Sequence, residues 1–516
     1  MERLVLSIDC GTQSLRAMVF NNVGELICIS KQKYPQSYYA LHSGWAEQSI
    51  DLYWDSLCRA TNDCKTQIGE RWNNIICMTV SPMRDTFTCV DKQGNTIRDF
   101  ILWLDQRRAE CKAPLPLKCK VAFRLVGMSE AIDVQRKITK SNWIAENQPQ
   151  LWKKTYKYMS LGGLLNFKLT GEFKESVAGC IGHIPMQYKE RKWKPTSDIQ
   201  YPIFGIIDHS WLPELVQPDQ VIGLVTKKAS ELTGIKEGLP LISAGSDKGS
   251  EAIGLGLIDQ NSASLSFGTA STIQFATQKY IEPMTFMPSY PSVAPTLFNP
   301  EIQIYRGYWM VNWFLNEFAQ KEVNKARELD IPPEEILNEE LNNVPVGCEG
   351  LMLQPYWAPQ LKQPEGKGSI IGFNSVHTKA HLYRAIIEGV GYALYDGYLN
   401  LKKRTGNDIK FLTVAGGGSQ SDVICQMTAD MFGLPVKRIQ TYEATGLGGA
   451  ITGYVAMKDY PDYQTAVASM THYTSEFIPN LDNHKLYHEL YTEVYKQTYP
   501  QLQPIYKKLY DILKRD

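Results

Sequence analysis

A chain of 516 residues exceeds one compact core and predicts two or three domains. Hydrophobic residues make up 43% and charged residues 21%, and Lys+Arg balances Asp+Glu at 54 each, an ordinary globular composition with formal net charge +0. That balance argues against nucleic acid as a partner, and no uninterrupted apolar run approaches the ~20 residues that span a bilayer. The first nine residues, a short apolar stretch ending in a carboxylate, do not read as a secretory signal. The 11 cysteines form no Cys-x-x-Cys pair, which suggests neither a disulfide framework nor a zinc ribbon and points to the reducing cytoplasm. Cys10, Cys77 and Cys89 lie in strand-like runs, where a thiol serves as a small buried hydrophobe. The 8 histidines show no ligand-like spacing.

In chain order, residues 4–8 predict a strand that ends in Asp9-Cys10-Gly11-Thr12-Gln13-Ser14, and a second strand over 15–20 completes a hairpin. Gly11 permits close backbone approach, and Thr12 and Ser14 offer hydroxyls. Further strands are expected over 75–80, 86–90 and 241–244. The first plan returns at 263–275: strand, Gly268-Thr269-Ala270-Ser271 turn, strand. Two such hairpins half a chain apart point to a duplicated architecture. The Pro- and Tyr-rich stretch 283–300 predicts a surface loop. Residues 381–394 predict a helix, with Leu382, Ile386 and Val390 as one stripe and Ala385, Gly389 and Ala393 as a small-residue neighbour. A strand over 411–415 leads into Gly416-Gly417-Gly418. Ser419 is then expected to cap a helix, with Asp422 in the capping-box position and Val423, Met427 and Met431 on its apolar face. Residues 480–516 predict a helical tail that packs back. Strands and helices mix in both halves, so the fold class is α/β.

Backbone N–H groups in Gly/Thr/Ser turns and at helix N-termini suit phosphate oxygens, so three such turns suggest a nucleotide. The chain has no Gly-Lys-Ser/Thr P-loop, and residues 416–419 fit a dinucleotide fingerprint poorly.

Taken together, these segments resemble the FGGY family of carbohydrate kinases, over nearly the whole chain and in the family's order. Residues 9–16 (Asp-Cys-Gly-Thr-Gln-Ser-Leu-Arg) are similar to the first phosphate motif and 266–271 (Ser-Phe-Gly-Thr-Ala-Ser) to the second. Residues 415–419 through 434–436 resemble the adenosine motif, and 384–389 and 444–450 the connecting motifs. Residues 44–48 and 167–172 match family signatures as well. The resemblance implies the sugar kinase/actin/chaperone ATPase fold: two ribonuclease H-like lobes with an interlobe cleft, residues 1–246 binding sugar and 247–516 binding ATP. It also implies transfer of the ATP γ-phosphoryl to a hydroxyl of a small sugar, most simply a ketose such as xylulose. The residues leave room for glycerol or another polyol, for a non-catalytic actin- or chaperone-like ATP switch, and for a homodimer.

The resemblance puts the catalytic base at Asp247 in Gly245-Ser246-Asp247. The residues agree: Asp247 follows a strand and precedes a helix, where the dipole is expected to keep a carboxylate ionised, and an ordinary N-cap is the alternative. Asp9 is expected near Mg²⁺, through water. Gly11, Thr12, Ser14, Arg16, Gly268, Thr269, Gly416, Gly417, Gly418 and Ser419 are expected around ATP. For the sugar, Met83, Arg84 and Asp85 stand where xylulose kinases carry Met-His-Gly and glycerol kinases Gln-Arg-Glu-Thr. Trp103 and Asp105 match the family's Trp-x-Asp. Three positions depart from the pattern: Lys248 where Asn or Gln is usual, Gly163 where Asp is common, and Glu175-Ser176 where Thr-Asp is expected. Lys248, beside the base, is expected either to face the cleft and an anionic group or to be a solvated helix residue.

Overall fold

Residues 4–10 are apolar except for Ser7 and Asp9, and the strand they form is buried along its whole length, as a central strand covered on both sides must be. The computed structural model describes residues 2–205, 207–357 and 366–513. In chain order the elements used below are β1 (Leu4–Cys10), β2 (Ser14–Asn21), β3 (Leu26–Lys33), α1 (Ile50–Ile68), β4 (Ile75–Pro82), α2 (Leu161–Thr170), β5 (Val221–Leu224), β6 (Pro240–Ile242) and α3 (Asp247–Gly254). They continue with β7 (Ser262–Phe267), β8 (Ser271–Phe275), β9 (Glu301–Ile304), α4 (Lys379–Thr405), β10 (Phe411–Gly416), α5 (Asp422–Phe432), β11 (Val436–Ile439), α6 (Ala444–Ala456) and β12 (Tyr473–Phe477).

The chain divides into two units. The first comprises Met1–Ile258, Ser289–Asn299 and Glu443–Thr471, and the second Asp259–Pro288, Pro300–Tyr442 and His472–Asp516. Asp247, at the head of the second half in the sequence division, lies in the first unit.

The first unit is built on a six-stranded sheet in the order β5-β6-β4-β1-β2-β3. Strands β1, β2 and β3 form an antiparallel meander; β4 joins β1 and β6 joins β4 in parallel, and β5 closes the edge antiparallel. Helix α1, capped by the Ser49 hydroxyl, buries Tyr53, Trp54, Leu57, Ala60 and Cys64. Each large apolar side chain so buried contributes about 1.5–3 kcal/mol.

The second unit's sheet runs β9-β8-β7-β10-β11-β12. Strands β7, β8 and β9 form the meander, β10 and β11 add in parallel, and β12 closes antiparallel. The two sheets share one plan strand for strand, which is the duplication the paired Gly-Thr-x-Ser turns foretell. Helix α4 buries Ile386, Val390 and the small stripe Ala385, Gly389 and Ala393 against this sheet's core.

Two local expectations differ from the structure. Within 283–300, Tyr290–Pro291 pairs antiparallel with Phe298–Asn299, and Ser289, Ser292 and Val293 are fully buried, so Ser289–Asn299 packs into the first unit instead of forming a surface loop. Its prolines and serines hide that in sequence. At α5 the cap is Ser421, whose hydroxyl accepts from Ile424 N–H; Ser419 lies in the preceding 3-10 turn. All 11 cysteines are free thiols. Among the described residues no helix is long and apolar enough to cross a membrane. The tail forms helices from Leu481 to Leu513, and its last three residues lie outside the described ones.

Candidate active site

Helix α3 begins with Ser246 as its cap: the hydroxyl accepts the Gly249 amide at 3.3 Å, which leaves Asp247 as the first helical residue. The Asp247 side chain is 30% exposed, and its Oδ1 accepts the Lys248 amide at 2.8 Å and lies 3.9 Å from Arg84 Nε. That nitrogen donates to Ser246 Oγ at 2.9 Å, and the Arg84 guanidinium lies over the Tyr290 ring at 4.9 Å. The expected dipole effect does not dominate. Burial pushes the Asp247 carboxyl up from its ordinary pKa, against the opposing charges of Arg84 and Lys248. The Lys248 ammonium turns back along its own helix to Glu251 Oε1 at 3.0 Å.

The β1–β2 turn supplies a second carboxylate. Gly11 N–H donates to the Ser14 carbonyl at 3.1 Å, and Arg16, on the returning strand, donates to Asp9 Oδ2 at 2.8 Å and lies 3.4 Å from Glu443. Burial pushes Asp9 up to about 6; Arg16 opposes the shift, and the charges of Asp247 and Glu443 add to it. Asp9 and Asp247 therefore lie within electrostatic reach of each other. The Thr12 hydroxyl donates to Met83 Sδ at 3.3 Å and accepts from Trp103 Nε1 at 2.9 Å.

Asp9 with Arg16, Thr12 with Met83 and Trp103, and Arg84 with Asp247 thus form three contacting groups, joined along the chain through 9–16 and 83–84. Asp105 is set apart from them. Its side chain is 1% exposed; Oδ2 accepts from Ala46 N–H (2.6 Å) and Arg107 Nη2 (2.8 Å), and Oδ1 from Arg107 Nε (2.8 Å). Arg107 in turn lies over Trp45 at 3.9 Å and Trp143 at 4.6 Å. Asp85 accepts from Lys140 Nζ at 2.5 Å and faces His183 Nδ1 at 3.0 Å. Lys140, His183, Tyr290 and Glu443 were not expected here. Only Glu443 carries a signal, standing directly before the Ala-Thr-Gly segment at 444–446.

Helix α6 presses on α3. A β-carbon on Gly448 would stand 1.8 Å from the Ser250 carbonyl oxygen, so the two backbones touch only because position 448 is glycine. The segment 444–450 thereby fixes the helix that carries Asp247.

In the second unit, the pairing of β7 with β10 sets Phe267 opposite Gly416 and brings Gly268 and Thr269 beside 416–418. Gly416 has φ +85, which opens the turn where a β-carbon would meet the Phe267 backbone at 2.7 Å. The Gly268 and Thr269 carbonyls accept the Tyr308 and Trp309 amides at 3.0 and 3.3 Å. The buried Ser419 hydroxyl donates to the Gly416 carbonyl at 2.7 Å. Its oxygen therefore braces the Gly-rich turn.

Two six-stranded sheets of one plan, each entered through a Gly-Thr hairpin, define an actin-like ATPase fold. The chain belongs to the FGGY family of carbohydrate kinases: the family's N-terminal domain matches residues 4–254 and its C-terminal domain residues 263–457. It is therefore a phosphotransferase with an alcohol group as acceptor. An uncharacterized sugar kinase of Escherichia coli K12, YgcE, is 30% identical over 99% of this chain and 96% of its own length. A xylulose kinase of Staphylococcus epidermidis (strain ATCC 12228) is 26% identical over 94% of this chain and 95% of its own. Among solved structures, ligand-bound xylulose kinase from Lactobacillus acidophilus superposes with TM-score 0.81 over 98% of this chain and all of that one, at 20% identity, a likeness of fold.

Proposed function

We propose that this kinase phosphorylates a small open-chain ketose of the xylulose type, with ATP as donor and Asp247 as the base. The observation that carries the reading is the Arg84–Asp247 pair, with a donor and an acceptor side by side at the head of α3. A guanidinium only donates and an ionised carboxylate only accepts. A ketose meets both, its carbonyl oxygen taking the arginine and a neighbouring hydroxyl giving its proton to Asp247. The xylulose kinase relative supports the same substrate class.

In the reaction, the acceptor oxygen bonds to the γ-phosphorus as the β–γ bridging bond breaks, ADP leaves, and the hydroxyl proton passes to Asp247 Oδ2 or Oδ1. Phosphoryl transfer is loose, so the base chiefly orients the hydroxyl and takes its proton late. In the first unit, Gly11, Thr12, Ser14 and Arg16 form the phosphate-facing turn. In the second, Gly268, Thr269, Gly416, Gly417, Gly418 and Ser419 hold the nucleotide, with Ser419 acting through the turn it braces. Asp9 fits a Mg²⁺ ion held through water: it is a buried carboxylate repelled by two others, Asp247 and Glu443, and a cation would relieve that crowding. When bound, the ion screens the phosphate charge. Among the described residues no group of three or more His, Cys, Asp or Glu that could hold a metal ion is found.

Coupled ADP release across pentuloses, hexuloses, polyols and sugar acids tests the substrate. The expected result is the highest kcat/KM on a ketose. Turnover confined to sugar acids or to glycerol would overturn that choice.

A further inference from the structure

Asp85 sits at φ +46, a left-handed conformation unfavourable for a residue with a side chain. Its carboxylate holds it there. Oδ1 accepts the His183 amide at 3.0 Å, while Oδ2 accepts from Lys140 Nζ at 2.5 Å and faces His183 Nδ1 at 3.0 Å. Burial works to raise this carboxyl, but Lys140 and His183 outweigh it and hold the group well below the usual carboxylate range. Asp85 is thus an acceptor only, so Nδ1 must carry a proton. Nε2 is then the ring nitrogen that Asp85 leaves open. Of the three side chains Lys140 is 5% exposed, Asp85 16% and His183 31%, which makes the imidazole the open end of the cluster.

The loop that carries His183 is also tied to the base. The Ala178 carbonyl accepts the amide of Ser246, the cap of α3, at 3.0 Å. Gly182 both donates to and accepts from the Tyr188 hydroxyl at 3.1 Å. The Tyr188 ring meets Tyr290 edge-on at 5.4 Å, and Tyr290 lies under Arg84. Of the adjacent residues Arg84 and Asp85, one reaches Asp247 and the other His183.

We propose that His183 is a specificity-determining residue of this kinase. Its Nε2 hydrogen-bonds an acceptor hydroxyl remote from the one phosphorylated at Asp247, with Asp85 and Lys140 as positioning residues. The inference rests on the kinase reading above and sharpens it into a length requirement. An acceptor that passes Arg84 on its way from Asp247 to His183 needs hydroxyls several carbons apart. A five- or six-carbon open-chain ketose has them; a three-carbon polyol does not.

The test is acceptor-dependent ADP release by the full chain with xylulose, a hexulose and glycerol, for wild type, His183→Asn and His183→Gln, alongside thermal melts. Asn places its amide where Nδ1 was and keeps Asp85 bonded but removes Nε2; Gln reaches the Nε2 position. The Asn variant is expected to raise KM for the ketoses roughly 3- to 10-fold with little change in kcat, the size of one lost hydrogen bond, and to narrow their preference over glycerol by the same factor. The Gln variant should stand nearer wild type. An unchanged ketose KM in His183→Asn, or equal losses on every acceptor in both variants, would assign His183 to holding Asp85 alone and overturn the proposal. A wild-type chain that releases ADP with none of the acceptors would instead sink the ketose reading, and this inference with it.

Discussion

Arg84 Nε stands 3.9 Å from Asp247 Oδ1 while donating to Ser246 Oγ, the cap of the same helix. One side chain therefore anchors the helix start and flanks the carboxylate that the start presents. Burial and the arginine act on that carboxylate in opposite directions, and burial wins.

This balance sets a pH dependence. A base works only when ionised, and the Asp247 pKa lies above 3.8, so kcat/KM falls as pH drops through a value above that figure. Asp9, pushed up to about 6, adds a second loss on the same side. A pH–rate profile should show an acid limb within the weakly acidic range. A profile flat down to pH 4 would contradict the raised Asp9 carboxyl.

Lys248 bears on the same limb. Its charge lowers the Asp247 pKa even though its ammonium is paired with Glu251. Lys248→Gln should move the acid limb of kcat/KM to higher pH. A limb that stays in place would show that Asp247 does not feel this charge.

The α3–α6 contact predicts a packing effect. With the Ser250 oxygen 1.8 Å from the position of a new β-carbon, Gly448→Ala must push the helices apart, at a cost of about 1–3 kcal/mol. Chemical denaturation should read that loss. Gly417→Ala, where the same position is open, should leave stability unchanged.

Glu175 predicts a pH-dependent stability. Burial pushes its carboxyl up to about 7 despite a hydrogen bond from the Ser160 hydroxyl. Because the folded pKa lies above the ordinary 4.5, its contribution is fully present below 4.5 and is lost as pH rises to about 7. Glu175→Gln removes the cost of the buried charge, which amounts to up to about 3 kcal/mol. Its melting temperature should exceed wild type more at pH 8 than at pH 5. An equal difference at both would show that Glu175 titrates normally.

Much of this was legible because glycines and short-range pattern carry it. The duplicated sheet follows from the two Gly-Thr turns and their apolar flanks, and Asp247 from its place between a strand and a helix. What stayed hidden depends on side chains that meet across long sequence separations. Lys140 and His183 reach Asp85 from segments with no motif, and Asp105 gives no sign in sequence that Arg107 saturates it. Gly163 and Glu175 look like separate departures from the family pattern. Space relates them: a β-carbon at 163 would stand 2.7 Å from Glu175 Oε2, so the carboxylate usual at one position comes here from the other. The buried 289–299 segment was misread because serine and proline carry no apolar period.

The central claim is that Asp247 takes the proton of a sugar hydroxyl during phosphoryl transfer. The most direct measurement is ADP release with and without ketose, for wild type and Asp247→Asn, with nucleotide binding followed by calorimetry. The expected result is ketose-dependent release by wild type, and an Asn variant that folds and binds nucleotide while kcat falls roughly 10²- to 10⁴-fold. Near wild-type turnover in Asp247→Asn, or wild-type release that ignores added ketose, would contradict it.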